Sequence, residues 1–509
     1  MNFQKRLDFI AETQKKVFEI PEDSAQKLRS DKKKTAAERM TALFDSDTFV
    51  ETGAFVKKRI TELAEDTTDN YEGVVTGYGA VNGKLVFAYV QDFSRRSGAL
   101  SEACVKKILT VYSMAEKNGA PVVSVFDSAG VVITEGIDAL SGYGAIIVKA
   151  SVLSGVIPQY SVICGTCAGG AAVTASISDF IFIEKNNGGM FINSPFVIKN
   201  STDKKVDNNI GSAETAVKTG QCAKMLDGED ACFLELRDLI DYMPSNNLDI
   251  GVYSNADDDT DRLNETLADF VLTEKYDVKQ VISEIADNNK FFELYEDYAP
   301  NIVCGFASIA NITVGITANQ PMNDNGIICP EVCDKAARFI YLCDNFNIPV
   351  LTLADTGGMM ISDNAENSQF ALGAAKLAAA YSIASVPKIT VNTGKAYGTA
   401  YMIMGSKGLG ADMVMAYPTA QISILAPETA IEIIYGDKIM SSQNPAEERA
   451  NLVEEWEVKT ASPVEASSSG QIDNIIDPKQ TRQLIASALL MLQAKRETRP
   501  NKKHNKFLF

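Results

Sequence analysis

From about residue 71 onward, short apolar runs alternate with longer stretches whose apolar positions recur at helical spacing. The runs at 85–90, 122–126 and 160–164 read as strands, and the stretches at 100–114 and 136–153 read as helices. That alternation indicates β-α-β units and a mostly parallel sheet. A second series of the same kind begins at Asn301. Ahead of the first, residues 1–45 read as charged helices, with the basic run Lys32-Lys33-Lys34 before an amphipathic segment at 35–44. Between the series, Asn255-Ala-Asp-Asp-Asp-Thr-Asp-Arg262 is the most acidic stretch and the candidate linker. The basic tail at 494–504 is expected to be exposed.

The second series copies the first. Gly119-Ala-Pro-Val-Val-Ser-Val-Phe-Asp-Ser-Ala-Gly130 returns as Asn347-Ile-Pro-Val-Leu-Thr-Leu-Ala-Asp-Thr-Gly-Gly358, pairing Pro121 with Pro349 and Asp127 with Asp355. Ile157-Pro-Gln-Tyr-Ser-Val-Ile-Cys-Gly-Thr-Cys-Ala-Gly-Gly-Ala171 returns as Val386-Pro-Lys-Ile-Thr-Val-Asn-Thr-Gly-Lys-Ala-Tyr-Gly-Thr-Ala400. The offset is 228 for Pro121 to Pro349 and 229 for Ile157 to Val386, and Val81 to Ala310 keeps the same spacing. A period that long is a duplicated domain, not a solenoid unit. The expected division is 1–255 and 256–509. Two copies of one fold, each ending a strand in a small-residue turn, point to two matching sites facing a shared substrate.

Composition narrows the classes. The chain has 509 residues, 46% hydrophobic and 22% charged, and a formal net charge of −18. A surplus of that sign argues against nucleic acid as the main partner, because phosphate neutralisation needs a basic face. The first ten residues carry charges through their apolar pattern, and the most apolar region, 370–404, is broken by Lys376, Lys388 and Lys395. Neither a signal peptide nor a membrane span is therefore expected, and the expected location is cytoplasmic. Nine cysteines lie scattered without framework spacing, as in a reducing compartment.

Chemistry concentrates at the turns. Cys167-Ala-Gly-Gly-Ala171 follows a strand and precedes a helical run, so Gly169, Gly170 and Ala171 offer peptide N–H groups at a helix start. Such donors suit developing negative charge, as in an oxyanion hole. Gly398, Thr399 and Ala400 repeat the context in the second half. A lone Gly-Gly turn is more often close packing of helix on strand; its duplication favours function. Cys164-Gly-Thr-Cys167 resembles a redox pair, yet its counterpart Thr393-Gly-Lys-Ala396 has no thiols, so buried packing is the better reading. Zinc lacks ligands, since the one histidine is His504. Asp127 and Asp355 end matching strands; without an evident acid/base partner they read as turn or cap residues.

Taken together, these segments resemble the carboxyltransferase subunits of biotin-dependent acyl-CoA carboxylases and decarboxylases. Supporting stretches include Thr35-Ala-Ala-Glu-Arg39, Gln91-Asp-Phe93, Gly155-Val-Ile-Pro-Gln159 and Cys167-Ala-Gly-Gly-Ala171. The second half adds Ala336-Ala-Arg-Phe339, Cys343-Asp-Asn-Phe-Asn-Ile-Pro349 and Lys395-Ala-Tyr-Gly398, and the end, Lys495-Arg-Glu with Lys503-His504, is similar too. The resemblance implies two tandem crotonase-like α/β domains, each a β-β-α superhelix, assembled as a hexamer with sites between different subunits. It implies that no side chain need act as base. One peptide hole would stabilise a thioester enolate at Gly169 and Gly170, and the other the biotin ureido oxygen at Thr399 and Ala400. Coenzyme A would need a local basic group; Arg95, Arg96 and Lys107, with Lys106, are the nearest to the first turn. Ala129, Gly130, Gly357, Gly358 and Met402 are the other positions carried over as binding residues.

Some motifs depart from the family pattern. Ser128-Ala-Gly-Val-Val-Ile-Thr-Glu-Gly136 lacks the usual arginine, Gly394 replaces another, and Met402 stands where propionyl enzymes commonly have Asp. Three readings follow: carboxyl transfer between biotin and a short acyl-CoA, a non-catalytic paralogue serving as scaffold, and a crotonase-type acyl-CoA enzyme without biotin. The chain has no Met-Lys-Met biotinylation motif and no ATP-grasp pattern. Carboxylation would thus need a biotin carrier and biotin carboxylase, and decarboxylation a membrane subunit.

Overall fold

A computed structural model of the chain describes residues 3–500 apart from 19, 21, 58–70, 203–208, 253, 255 and 272–274. Lys502, Lys503 and His504 lie outside the described residues. The chain divides into two units, Met1–Asp249 and Ile250–Phe509.

In the first unit the strands are β1 (Val50–Thr52), β2 (Val74–Val81), β3 (Lys84–Gln91), β4 (Val122–Phe126), β5 (Gln159–Ile163), β6 (Thr166–Ala168), β7 (Phe180–Glu184), β8 (Gly189–Phe191) and β9 (Lys224–Leu226). Seven form one sheet in the order β1-β2-β3-β4-β5-β7-β9, while β6 and β8 pair separately. The first three run antiparallel and the rest parallel. The hairpin between β2 and β3 closes through Asn82 and Gly83, both at positive φ (50° and 79°), the backbone a two-residue turn between twisted strands requires. β4, β5 and β7 are buried on both faces, which is why their sequences are mostly apolar rather than alternating, with Ser124 and Ser161 as the buried polar exceptions within β4 and β5.

The second unit repeats the plan with β10 (Phe291–Leu294), β11 (Ile302–Ile309), β12 (Ile312–Asn319), β13 (Val350–Thr356), β14 (Lys388–Tyr397), β15 (Met413–Ala416), β16 (Gln421–Ser423) and β17 (Asn474–Ile475). The order is β10-β11-β12-β13-β14-β15-β17, with β16 on the far end of β14. Its hairpin again turns through two positive-φ residues, Ala310 and Asn311. The expected strand at 388–392 is therefore only the first half of β14; the rest is held by β16, as β6 is by β8.

Helices supply the crossovers. Glu102–Asn118 starts at Ser101, whose side chain accepts from the Cys104 N–H, and stops at Gly119 in the left-handed conformation. Ala36–Leu43 opens with a Thr35/Glu38 capping box. The main core centres on Phe126, Tyr143, Ile163 and their neighbours in the first unit and on Ile316, Leu353, Val391 and theirs in the second, where Ala396, Val414 and Ile422 form a further cluster. This is the duplicated ββα architecture that the sequence implied.

One expectation about a connecting segment changes. The acidic stretch after residue 255 is not a free linker. Asp258 pairs with Arg262 and accepts from the Asn288 N–H, and Ala256 N–H donates to Asn311, all within the second unit. The described part of the basic tail is exposed at 494, 496–498 and 500, as expected, while Lys495 bonds Asp412 and the Val386 carbonyl and Arg499 bonds the carbonyls of Ser382 and Ala384.

Candidate active site

Each turn is made by a strand that runs on past the sheet. Past Gly165, β6 delivers the chain to Gly169 at φ 57°, and the helix Gly170–Ala175 follows. The end of β14 delivers Gly398 at φ 56°, with the helix Gly398–Ile403. Only glycine takes that backbone without strain, so the two glycines are required by the turn itself. A methyl at Gly170 would sit 2.7 Å from the Tyr143 ring, whereas the equivalent Thr399 is exposed and carries its side chain freely.

The donors differ from the expected pair. Gly169 N–H is not offered to a ligand, since it donates to the Phe191 carbonyl at 3.0 Å. The helix then closes its first bond from Val173 N–H to the Gly169 carbonyl at 3.1 Å. Gly170, Ala171 and Ala172 are left with the first-turn N–H groups that have no partner inside a helix. Thr399 and Ala400 stand at the same places in the second unit. Helices of six residues have little macrodipole, so these sites rest on the peptide N–H groups themselves. The turns share apolar flanks: Val173 (42% exposed) and Ile192 (61%) at the first, Met402 (46%) and Ile424 (77%) at the second. Gly398, Thr399, Met402 and Ile424 line one pocket of about 520 Å³ with Tyr401, Thr460, Glu465, Ser469 and Gln471.

The glycine-containing loops match bond for bond. Ala129 N–H donates to Ser97 O at 2.9 Å and Gly357 N–H to Asn325 O at 3.0 Å. Gly130 N–H is taken by the Ser128 hydroxyl at 3.0 Å, and Gly358 N–H by the Thr356 hydroxyl at 3.2 Å. These N–H groups are spent on loop shape, while the space beside Gly130 and Gly358 is open to 4 Å.

The basic candidates do not form an exposed cluster. Lys107 is buried with its ammonium on the Val74 carbonyl at 2.6 Å, and burial lowers its pKa. Arg95 is 5% exposed and donates to the Val17 carbonyl. Arg96 pairs with buried Glu72 at 2.5 Å, and Lys106 lies outside with Glu102. Exposed cations gather elsewhere: Arg29 and Lys32 line a pocket of about 590 Å³ with Lys34 and Asp230. Asp127 is fully buried between Lys33 Nζ and Arg39 Nη2, each at 2.9 Å, and Arg39 also holds Glu229 through two bonds at 2.8 Å. The sequence placed Arg39 in a motif without revealing this partner. Cys164 and Cys167 are buried free thiols, and burial raises both well above the ordinary thiol range, which makes them inert. Among the described residues no group of acidic, cysteine or histidine side chains could hold a metal, and no helix is long and apolar enough to cross a membrane.

Known proteins share this sequence pattern and fold. The model of the carboxyl transferase domain matches residues 27–507. Methylmalonyl-CoA decarboxylase subunit alpha of Propionigenium modestum is 42% identical, over 94% of this chain and 94% of that protein. The carboxyltransferase subunit of propionyl-CoA carboxylase from Haloferax mediterranei is 37% identical over 99% of each chain. The solved transcarboxylase 12S, a hexamer with methylmalonyl-coenzyme A bound, superposes with a TM-score of 0.95 at 38% identity, covering 100% of this chain and 98% of its own. The chain belongs to the carboxyl transferase family and is a carboxyltransferase of the acyl-CoA kind.

Proposed function

We propose that this protein transfers a carboxyl group between carboxybiotin, carried on a partner protein, and the α-carbon of a short acyl-CoA of the propionyl/methylmalonyl type. The observation that carries this reading is the pair of equivalent turns, each presenting first-turn N–H groups beside a small apolar surface. Gly170 and Ala171 N–H would receive the thioester oxygen as it becomes an enolate. Thr399 and Ala400 N–H would receive the biotin ureido oxygen as the ring nitrogen loses its carboxyl group. Charge in both ligands appears only during reaction, so donors held in place beforehand favour the transition state over the ground state. Asp127 is buried and ion-paired, which suits chemistry in which no side chain is the base.

The relatives support the substrate class: two act on methylmalonyl-CoA by name, and a third on propionyl-CoA. Exposed apolar residues on the helix Ile137–Leu153 support assembly, for Ile137, Leu140, Val148 and Val152 are 52–74% exposed. A biotin carrier with its carboxylase, or a membrane decarboxylase subunit, would be the partner, acting from the cytoplasm. The test is a panel of acyl-CoAs and their malonyl-type products assayed with free biotin or carboxybiotin. Carboxyl exchange is expected with the three- and four-carbon thioesters. No exchange with any thioester would reject the reading.

A further inference from the structure

We infer that Asp127 and Asp355 are positioning residues, each holding a turn's N–H groups in place through a carboxylate wedged on the strand backbone that leads into that turn. That role rests on the proposed reading of the turns as charge-stabilising sites. The geometry is the same in both units. A Cβ on Gly165 would lie 2.0 Å from Asp127 Oδ1, and a Cβ on Gly394 would lie 2.4 Å from Asp355 Cγ. Both glycines stand four residues before the turn glycine, Gly169 or Gly398. The carboxylate thus occupies the place of the missing side chain and touches the backbone there.

The other side of each aspartate is closed too. A Cβ on Gly98 would meet the Asp127 carbonyl oxygen at 2.2 Å, and one on Gly326 the Asp355 carbonyl oxygen at 2.5 Å. Gln91 and Asn319 accept from the Asp127 and Asp355 N–H groups, at 3.2 and 3.3 Å. Each aspartate is therefore fixed from its backbone outward, and its side chain acts as a strut rather than as a turn cap. The counter-groups are what differ. Asp127 is neutralised by Lys33 and Arg39. Asp355 accepts from Lys395 N–H at 2.9 Å and from the Tyr276 hydroxyl, which also contacts Thr393 Oγ1 at 3.0 Å. All the groups on the Asp355 carboxylate but Tyr276 belong to the strand that ends in the second turn, so that strut grips the turn's own strand.

Amide hydrogen exchange on full-length Asp355→Ala tests this without any substrate. The expected result is exchange about tenfold faster or more at residues 401–404, the bonded amides of the helix behind the turn, with β12 amides unchanged. Loss of overall stability would instead accelerate both regions. Asp355→Asn keeps one acceptor for the Lys395 N–H and is expected to restore slow exchange. Gly394→Ala, which drives the carboxylate off the strand, is expected to reproduce the Asp355→Ala pattern. In turnover assays, Asp355→Ala should lower kcat with the acyl-CoA KM unchanged. Unchanged exchange at 401–404 in a folded Asp355→Ala protein would overturn the inference even if the wild type transfers carboxyl groups. A wild type without activity would reject the proposed reaction while the exchange result stood.

Discussion

Single residues show how far equivalent positions have diverged chemically. Asp179 and Asp412 each bond back to the first residue of a sheet strand, with Gln159 N–H on Asp179 Oδ2 and Lys388 N–H on Asp412 Oδ2, both at 2.8 Å. Asp412 also has Lys495 Nζ at 2.8 Å. Burial outweighs the peptide bonds to Asp179 and pushes its carboxyl up to about 7. With the folded value above the ordinary one, the stability from burying the neutral acid is full below pH about 4 and is lost as pH rises through about 7. Asp179→Asn, neutral at every pH, should flatten that fall. Melting temperatures from pH 5 to 8 check it, the variant gaining on the wild type as pH rises. Such effects escape a sequence reading: Asp179 and Asp412 look alike until the tail brings Lys495 to one of them. Lys33 and Arg39 are hidden in the same way, since they reach Asp127 from 94 and 88 residues away.

Among elements, the parallel strands were the most legible, because burial on both faces leaves mostly apolar runs at 122–126 and 160–163, each broken by a single serine. The turns were legible as glycine clusters, but their donors were not. Whether Gly169 N–H is free depends on Phe191, and that contact exists only once β8 has paired with β6. The revised donor set makes a separable test. Ala171→Pro and Ala400→Pro remove equivalent N–H groups at first-turn positions that tolerate proline, and neither adds a side chain at Gly170, where Tyr143 would be struck. Each variant should lower carboxyl transfer about 100-fold or more at near-normal melting temperature. Full turnover in both, measured at saturating acyl-CoA and biotin, would remove the turns from the mechanism.

For the molecule as a whole, the reading predicts a hexamer, because each unit carries one of two complementary turns and its apolar helix faces are left bare. Light scattering at micromolar concentration should give six times the 55.1 kDa chain mass, and a clean monomer would contradict it. The duplication, the sheet class and the place of both turns were determined by the sequence alone. Those features follow from local periodicity, from glycine's access to positive φ, and from repetition at a constant offset, all of which survive in one dimension. Tertiary structure alone decided which N–H groups remain free and which basic residues are buried. It also decided that a carboxylate fills the space each small glycine leaves. Those are contacts between segments far apart in the chain, and a linear pattern of apolar and polar positions carries no record of which groups meet.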